Sequence, residues 1–321
     1  MRPDSLLWTS AATIPLVLAS LVVSSNNGRL PGSTLARTMP SCGSCHASAP
    51  GGSSIAVNVA PTARSLTPGQ AISINTFMTG GAVNSKNWGG MTTYVTGGTF
   101  TAGANTRTGS SGVDLTHSTQ INNRNWTYGY TAPTTAGLVQ MYVVGLTADG
   151  NGSDNSADLW SFHNADATAT TSTPLRLYVN AIGVTPIGSA CAGSYGQVPV
   201  LGAKEVPSVG NANFAIEVHG AAPNSPTLLL LGANAGWQPL DLGFIGVTGC
   251  KLLVDPLVTM AGMTGAGDAK RAEGVWTQPL AIPNDPGLVG GAFQIQVAIV
   301  DASNGRPTPL TLTNAIGIKV Q

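Results

Sequence analysis

Two thiols and an imidazole stand together at Cys42-Gly43-Ser44-Cys45-His46. Their spacing is that of a c-type haem attachment segment. One turn of backbone carries Cys42 and Cys45 to the two vinyl groups of a single porphyrin, where each forms a thioether. His46, the next residue, is then held under the ring as the proximal nitrogen ligand of the iron. The chain has four Cys and four His, so half of its cysteines sit in this pentapeptide. The competing reading is a local Cys42–Cys45 disulfide with a bystander histidine. A thioredoxin-like motif would need a surrounding βαβ pattern, and a zinc finger would need a second Cys/His pair. Neither is present in the sequence.

A low-spin electron-transfer haem needs a second axial ligand, and His or Met is the common choice. Three other histidines exist. His163 follows Trp160 and Phe162 and reads as an edge-strand residue, while His219 precedes Gly220 and reads as a surface residue. His117 lies in Leu115-Thr116-His117-Ser118-Thr119, where alternation puts it on the apolar face with Leu115. It is the candidate distal ligand, against a histidine hydrogen-bonded at a sandwich edge. Met91 is the runner-up, against a methionine that only fills the core. Asp149-Gly150-Asn151-Gly152-Ser153-Asp154-Asn155 resembles a calcium loop, but Trp160 stands where the twelfth-position glutamate belongs. A Gly/Asn-rich turn is the reading taken. No carboxylate pair, nucleophile elbow or phosphate loop emerges, and enzymatic activity is left undecided.

The elements that must position these groups are strands. Charged residues are 9% of the chain, 14 basic against 14 acidic, so there is no basic field for nucleic acid. Only three Glu and five Lys occur, which removes the usual helix-surface residues. Gly 41 and Pro 21 suit short strands joined by turns. The expectation is an all-β protein of two β-sandwich domains in tandem.

Residues 1–25 read as a signal peptide, with Arg2 before a mostly apolar run over 6–23. Pro15 and the hydroxyl residues make that run a poor membrane span, so none is expected after processing. Residues 26–165 are assigned to the CxxCH segment plus the first sandwich. Alternating stretches at 55–59, 71–78, 88–95, 113–117, 124–130 and 138–147 are its strands. Residues 166–174, poor in apolar side chains, are a linker. Residues 175–321 form the second sandwich, although 175–179 could equally close the first. Residues 228–231 read as a buried run. Cys191 and Cys250, 59 positions apart, are most simply a disulfide in an exported protein, contributing about 3–4 kcal/mol in the loop-entropy picture.

The order of several motifs carries a resemblance. CxxCH at 42–46 is followed by Gly-Gly-x-Ile-x-Val at 51–57 and Thr-Pro-Gly-Gln at 67–70. Trp88-Gly89, Thr116-His117, an aromatic strand at 126–133 and Asp-Gly-Asn-Gly-Ser at 149–153 complete the set. Together they resemble secreted bacterial proteins whose reeler-like sandwich, the choice-of-anchor V domain, begins with a CxxCH haem-attachment segment. Trp126-Thr127-Tyr128-Gly129-Tyr130 departs from that pattern, which has a second Trp there. Gly-Ser-Ala-Cys-Ala-Gly and Pro-Leu-Asp-Leu-Gly resemble a C-terminal β module appended to many such proteins. The resemblance implies attachment of haem outside the cytoplasm.

Two functions stand as expectations. The first is an exported monohaem c-type cytochrome-like protein that passes electrons to an unknown redox partner. The second is a surface or matrix interaction protein, binding a cell-surface component, in which Cys42–Cys45 is a structural disulfide.

Overall fold

The computed structural model describes residues 36–38, 41–47, 50–51, 54–82, 87–119, 122–164, 170–233 and 236–321. The expected signal peptide and most of the loop before the CxxCH segment lie outside the described residues. The described chain is all-β apart from short 3-10 turns. No helix among these residues is long and apolar enough to cross a membrane.

The N-terminal unit is two facing sheets. One has the order β1 (Ile55–Pro61), β3 (Ala71–Gly80), β8 (Asn125–Thr131), β5 (Thr99–Thr101). The other runs β2 (Ser65–Leu66), β11 (Leu175–Val179), β9 (Gly137–Thr147), β4 (Gly89–Val95), β7 (Asp114–His117), β6 (Thr106–Thr108), and β10 (Leu159–Phe162) also pairs with β9. Alternation produces the inner layer. Ile72, Ile74 and Met78 of β3 and Trp126, Tyr128 and Tyr130 of β8 face Leu115, Met141, Val143 and Leu177 of the other sheet in one core.

The C-terminal unit repeats this arrangement. A six-stranded sheet runs β12 (Val184–Ile187), β22 (Ala315–Lys319), β20 (Ala292–Val300), β15 (Pro226–Gly232), β18 (Val258–Met263), with β21 (Leu310–Leu312) also on β20. It packs on β13 (Val200–Gly202), β14 (Ala215–Ala221) and β19 (Gly274–Pro279) through Leu229, Val297 and Ile316 against Ile216, Val218 and Trp276. A small ribbon of β16 (Leu240–Asp241) and β17 (Lys251–Leu252) lies in the excursion between β15 and β18.

The structure moves the expected boundary at residue 175. β11 pairs with β9 over five residues and lies parallel to β2, so it closes the first sandwich. Leu175, Leu177 and Val179 enter the N-terminal core, while the opposite face meets the second unit. There Tyr178 donates to Glu217 at 2.8 Å and stacks on His219. His219 is therefore part of the join between units and not a surface histidine. The described part of the expected linker is also packed: Ser172 and Thr173 are buried, and Ser172 N–H donates to the Arg37 carbonyl. The run at 228–231 is strand β15, but Leu228 is exposed on its outer side.

Candidate functional site

The CxxCH segment is a 3-10 turn, Ser41–Ser44, laid against the outer face of the seven-stranded sheet. That face is apolar. Val144 of β9 pairs with Phe162 of β10, and Leu146 pairs with Trp160, so all four side chains share one side. Cys42 and Ala47 cover them, and Val144, Trp160 and Phe162 are fully buried as a result. Three hydrogen bonds hold the cover in place: Ala47 N–H to the Asp158 carbonyl, Trp160 Nε1–H to the Ala47 carbonyl at 2.6 Å, and His46 to Asp158.

Within the segment the two thiols differ. Cys42 is half-buried with its sulfur in the apolar packing, and that burial pushes its thiol up to about 12. Cys45 is exposed. Both are thiols, not the disulfide clasp weighed from the sequence. His46 Nδ1 lies 3.0 Å from Oδ2 of the buried Asp158. Burial works to raise the Asp158 carboxyl, but hydrogen bonds from His46 and from the Asp149 backbone outweigh it and hold it below the ordinary carboxylate range. Asp158 therefore accepts from Nδ1–H, leaving Nε2 as the ring nitrogen able to ligate a metal.

A haem at this segment would find half of the surroundings it needs. A metal-binding histidine commonly donates its other N–H to a carboxylate or carbonyl, and His46 has that partner. The thiol spacing and the proximal imidazole fit the group. The distal half does not. Thr92 pairs with both Val144 and Thr116, which places those residues on the outer face, the side on which the CxxCH segment packs. Met91 and His117 alternate with them and point inward. His117 packs its ring on Trp126 of the facing sheet, with Nδ1 3.1 Å from the Met91 backbone. Burial moves its pKa down, so the imidazole is neutral. A Cβ at Gly90 would come within 2.5 Å of that ring. The sheet backbone thus stands between His46 and both expected distal ligands: Met91 fills the core, and His117 is hydrogen-bonded to the Met91 backbone on the core side of β7 and not at a sandwich edge.

His163 is also inside. It continues β10 onto the inner face, where Nδ1 lies 2.8 Å from the Val57 carbonyl, and burial pushes its pKa down to about 4. The 149–155 loop is the expected turn: Asp149, Asn151 and Asn155 direct side-chain oxygens to backbone N–H groups two residues on. Asp154 nonetheless brings a carboxylate oxygen within 4.8 Å of the His46 and Asp158 ligand atoms. Asp158, 112 positions from His46, is the site residue that the sequence did not disclose.

A second feature lies in the C-terminal unit. The disulfide joins Cys191 to Cys250 as expected. It closes off a loop in which Leu242 and Val247 turn inward to pack with the two cysteines and Leu312. The 3-10 turn Gly243–Ile245 is fixed between them by Leu242 N–H to the Cys250 carbonyl and Val247 N–H to the Leu242 carbonyl. Thr308 donates to the Ile245 carbonyl from the neighbouring loop. Gly246 ends the turn at φ 82°, a conformation that suits glycine. Phe244 is left 74% exposed at the tip, with Leu240 and Ile245 exposed beside it.

No protein family matches the chain, and no curated protein matches it. Solved structures overlap it in part. The human F-spondin reeler domain is 15% identical with TM-score 0.27, over 40% of this chain and 88% of that one. The Reelin-N domain of F-spondin is 17% identical with TM-score 0.28, over 41% and 90%. Trypsin-activated alpha-2-macroglobulin from Escherichia coli is 10% identical with TM-score 0.22, over 83% of this chain and 16% of that one.

Proposed function

We propose that this chain is an exported binding protein that docks a cell-surface or matrix component through the disulfide-clamped loop of its C-terminal unit. The observation that carries this reading is Phe244. A large aromatic side chain stands out from a turn whose two flanking residues are locked into a disulfide-centred core. Rigid aromatic anchors of this kind dominate binding energy at interfaces, and fixing the loop beforehand lowers the ordering cost of association. The disulfide also suits an oxidising compartment outside the cytoplasm. The test is saturable binding of the labelled mature chain to the surface of the cells that secrete it. Phe244→Ser is expected to weaken that binding at least about tenfold with unchanged stability. Equal binding by wild type and variant, or none by either, overturns the reading.

A second reading is favoured by the carboxylate behind His46. We infer that the segment can carry one haem, held by Cys42 and Cys45 as thioethers and by His46 as proximal ligand. Such a group supplies an iron that cycles by one electron. Asp158 would orient the imidazole and strengthen it as a donor. Chain matured alongside haem-attachment machinery should gain the mass of one haem and show a haemochrome spectrum. A colourless chain of unmodified mass would reject this reading and leave the docking proposal untouched.

A further inference from the structure

Several sheet edges in the described chain carry devices that natural proteins use to prevent strand addition. β5 and β6 are three residues each, and β6 carries Arg107. β1 ends at Pro61, and His163 takes the Val57 carbonyl. β12 has Pro186 in its middle, and β19 ends in Pro279. β13 lies against the N-terminal unit, where Ser65 donates to the Leu201 carbonyl. β18 has none of these devices. From Leu257 to Thr264 the sequence is Leu-Val-Thr-Met-Ala-Gly-Met-Thr, without a charge or a proline.

β18 pairs on one side only, with β15. Thr264 N–H donates to the Ser225 carbonyl, so antiparallel alternation directs Val258, Met260 and Gly262 backbone groups at β15. Those of Thr259, Ala261 and Met263 point away from the sheet. Side chains along the edge are open as well: Leu257 is 66% exposed, Val258 51%, Met263 60%, and Leu228 on the neighbouring strand 40%.

We propose that β18 is the seam of a homodimer, in which the strand adds antiparallel to β18 of a second copy about a two-fold axis at Met260. The sequence is complementary to itself in that register. Thr259 meets Ala261, with both sets of outward backbone groups facing each other as an antiparallel hydrogen-bonded pair requires. Val258 meets Gly262, Leu257 meets Met263, and Met260 meets its own counterpart, so bulky residues face small or flexible ones. No like charges meet across the seam, which an isologous contact would otherwise place close together. The two C-terminal sheets become one continuous sheet, and Leu257 of each copy comes beside Met263 of the other on its outer face. This inference does not rest on the Phe244 loop.

Sedimentation equilibrium of the mature chain from about 1 to about 100 µM tests it. The wild type should associate to a dimer within that range. Thr259→Pro removes an outward N–H that β15 does not use. Ala261→Lys places a gatekeeper charge on an exposed side chain. Each variant should weaken the dimer at least about tenfold while keeping the wild-type unfolding midpoint. A monomeric wild type at the highest concentration overturns the proposal, as does a dimer that survives both substitutions. A monomer that instead binds an extended apolar peptide along β18 also overturns it, and assigns the edge to a different partner.

Discussion

The two units meet the same problem, an apolar strip on the outside of a sandwich, and treat it in opposite ways. In the N-terminal unit, Val144, Trp160 and Phe162 lie on the outer face and are covered by Cys42 and Ala47 of the CxxCH segment. In the C-terminal unit, Leu228, Leu257, Val258 and Met263 lie on or beside the edge strand and stay open. Covered apolar surface contributes to folding, whereas open apolar surface is held in reserve for a partner. The contrast assigns the CxxCH segment a structural role whether or not it carries haem. The open residues lie on β15 and β18 and at the end of the excursion between them, the excursion that also carries Phe244.

The largest expected effect is at the covered strip. Trp160→Ala removes a fully buried indole that packs edge-on against Phe162 at 5.3 Å. It should cost about 3–5 kcal/mol in chemical denaturation. It should also make the Cys42 thiol label as fast as Cys45 in the native protein. Met263→Ser at the open strip should change monomer stability by less than about 0.5 kcal/mol. Comparable losses at the two positions would erase the distinction. Next comes Cys191→Ser with Cys250→Ser, expected to lose about 3–4 kcal/mol and to release the Phe244 turn. Protease cleavage rates within 240–250 report that release.

His163 gives a slightly smaller effect, with a defined pH window. Its folded pKa is about 4 against an ordinary 6.5, so between those values the unfolded chain binds more protons than the folded one. Stability is full above 6.5 and falls as pH drops toward 4, by about 3 kcal/mol. His163→Gln should flatten that slope in urea titrations. Asp158→Asn is the mildest change, about 1–2 kcal/mol for loss of a charge-assisted hydrogen bond. Because the Asp158 carboxyl is held low, its contribution is present above the ordinary carboxylate range and lost as pH falls through the depressed value. The variant should lack that last acid-induced loss.

Much of the fold was legible where one face of a strand is wet. β3 and β8 alternate apolar with polar residues, and their buried positions follow the sequence period. β11 was ambiguous for the opposite reason: all five residues are buried, one face in the core and the other against the second unit. Alternation correctly turned His117 to the Leu115 side. It could not say on which side of the sheet the CxxCH segment docks. That is decided by Trp160 and Phe162, more than a hundred positions away, and so is the pairing of His46 with Asp158. The Cys191–Cys250 pair needed only a count of cysteines, whereas the exposure of Phe244 depends on Leu242 and Val247 turning inward.

The contrast between covered and open strips is tested most directly by amide hydrogen exchange of the mature chain at low and high concentration. The outward amides of Thr259, Ala261 and Met263 should exchange fast when dilute and become protected when concentrated. Amides at Trp160 and Phe162 should be protected alike in both. Unchanged fast exchange along β18 at high concentration, or protection there at every dilution, would contradict the account.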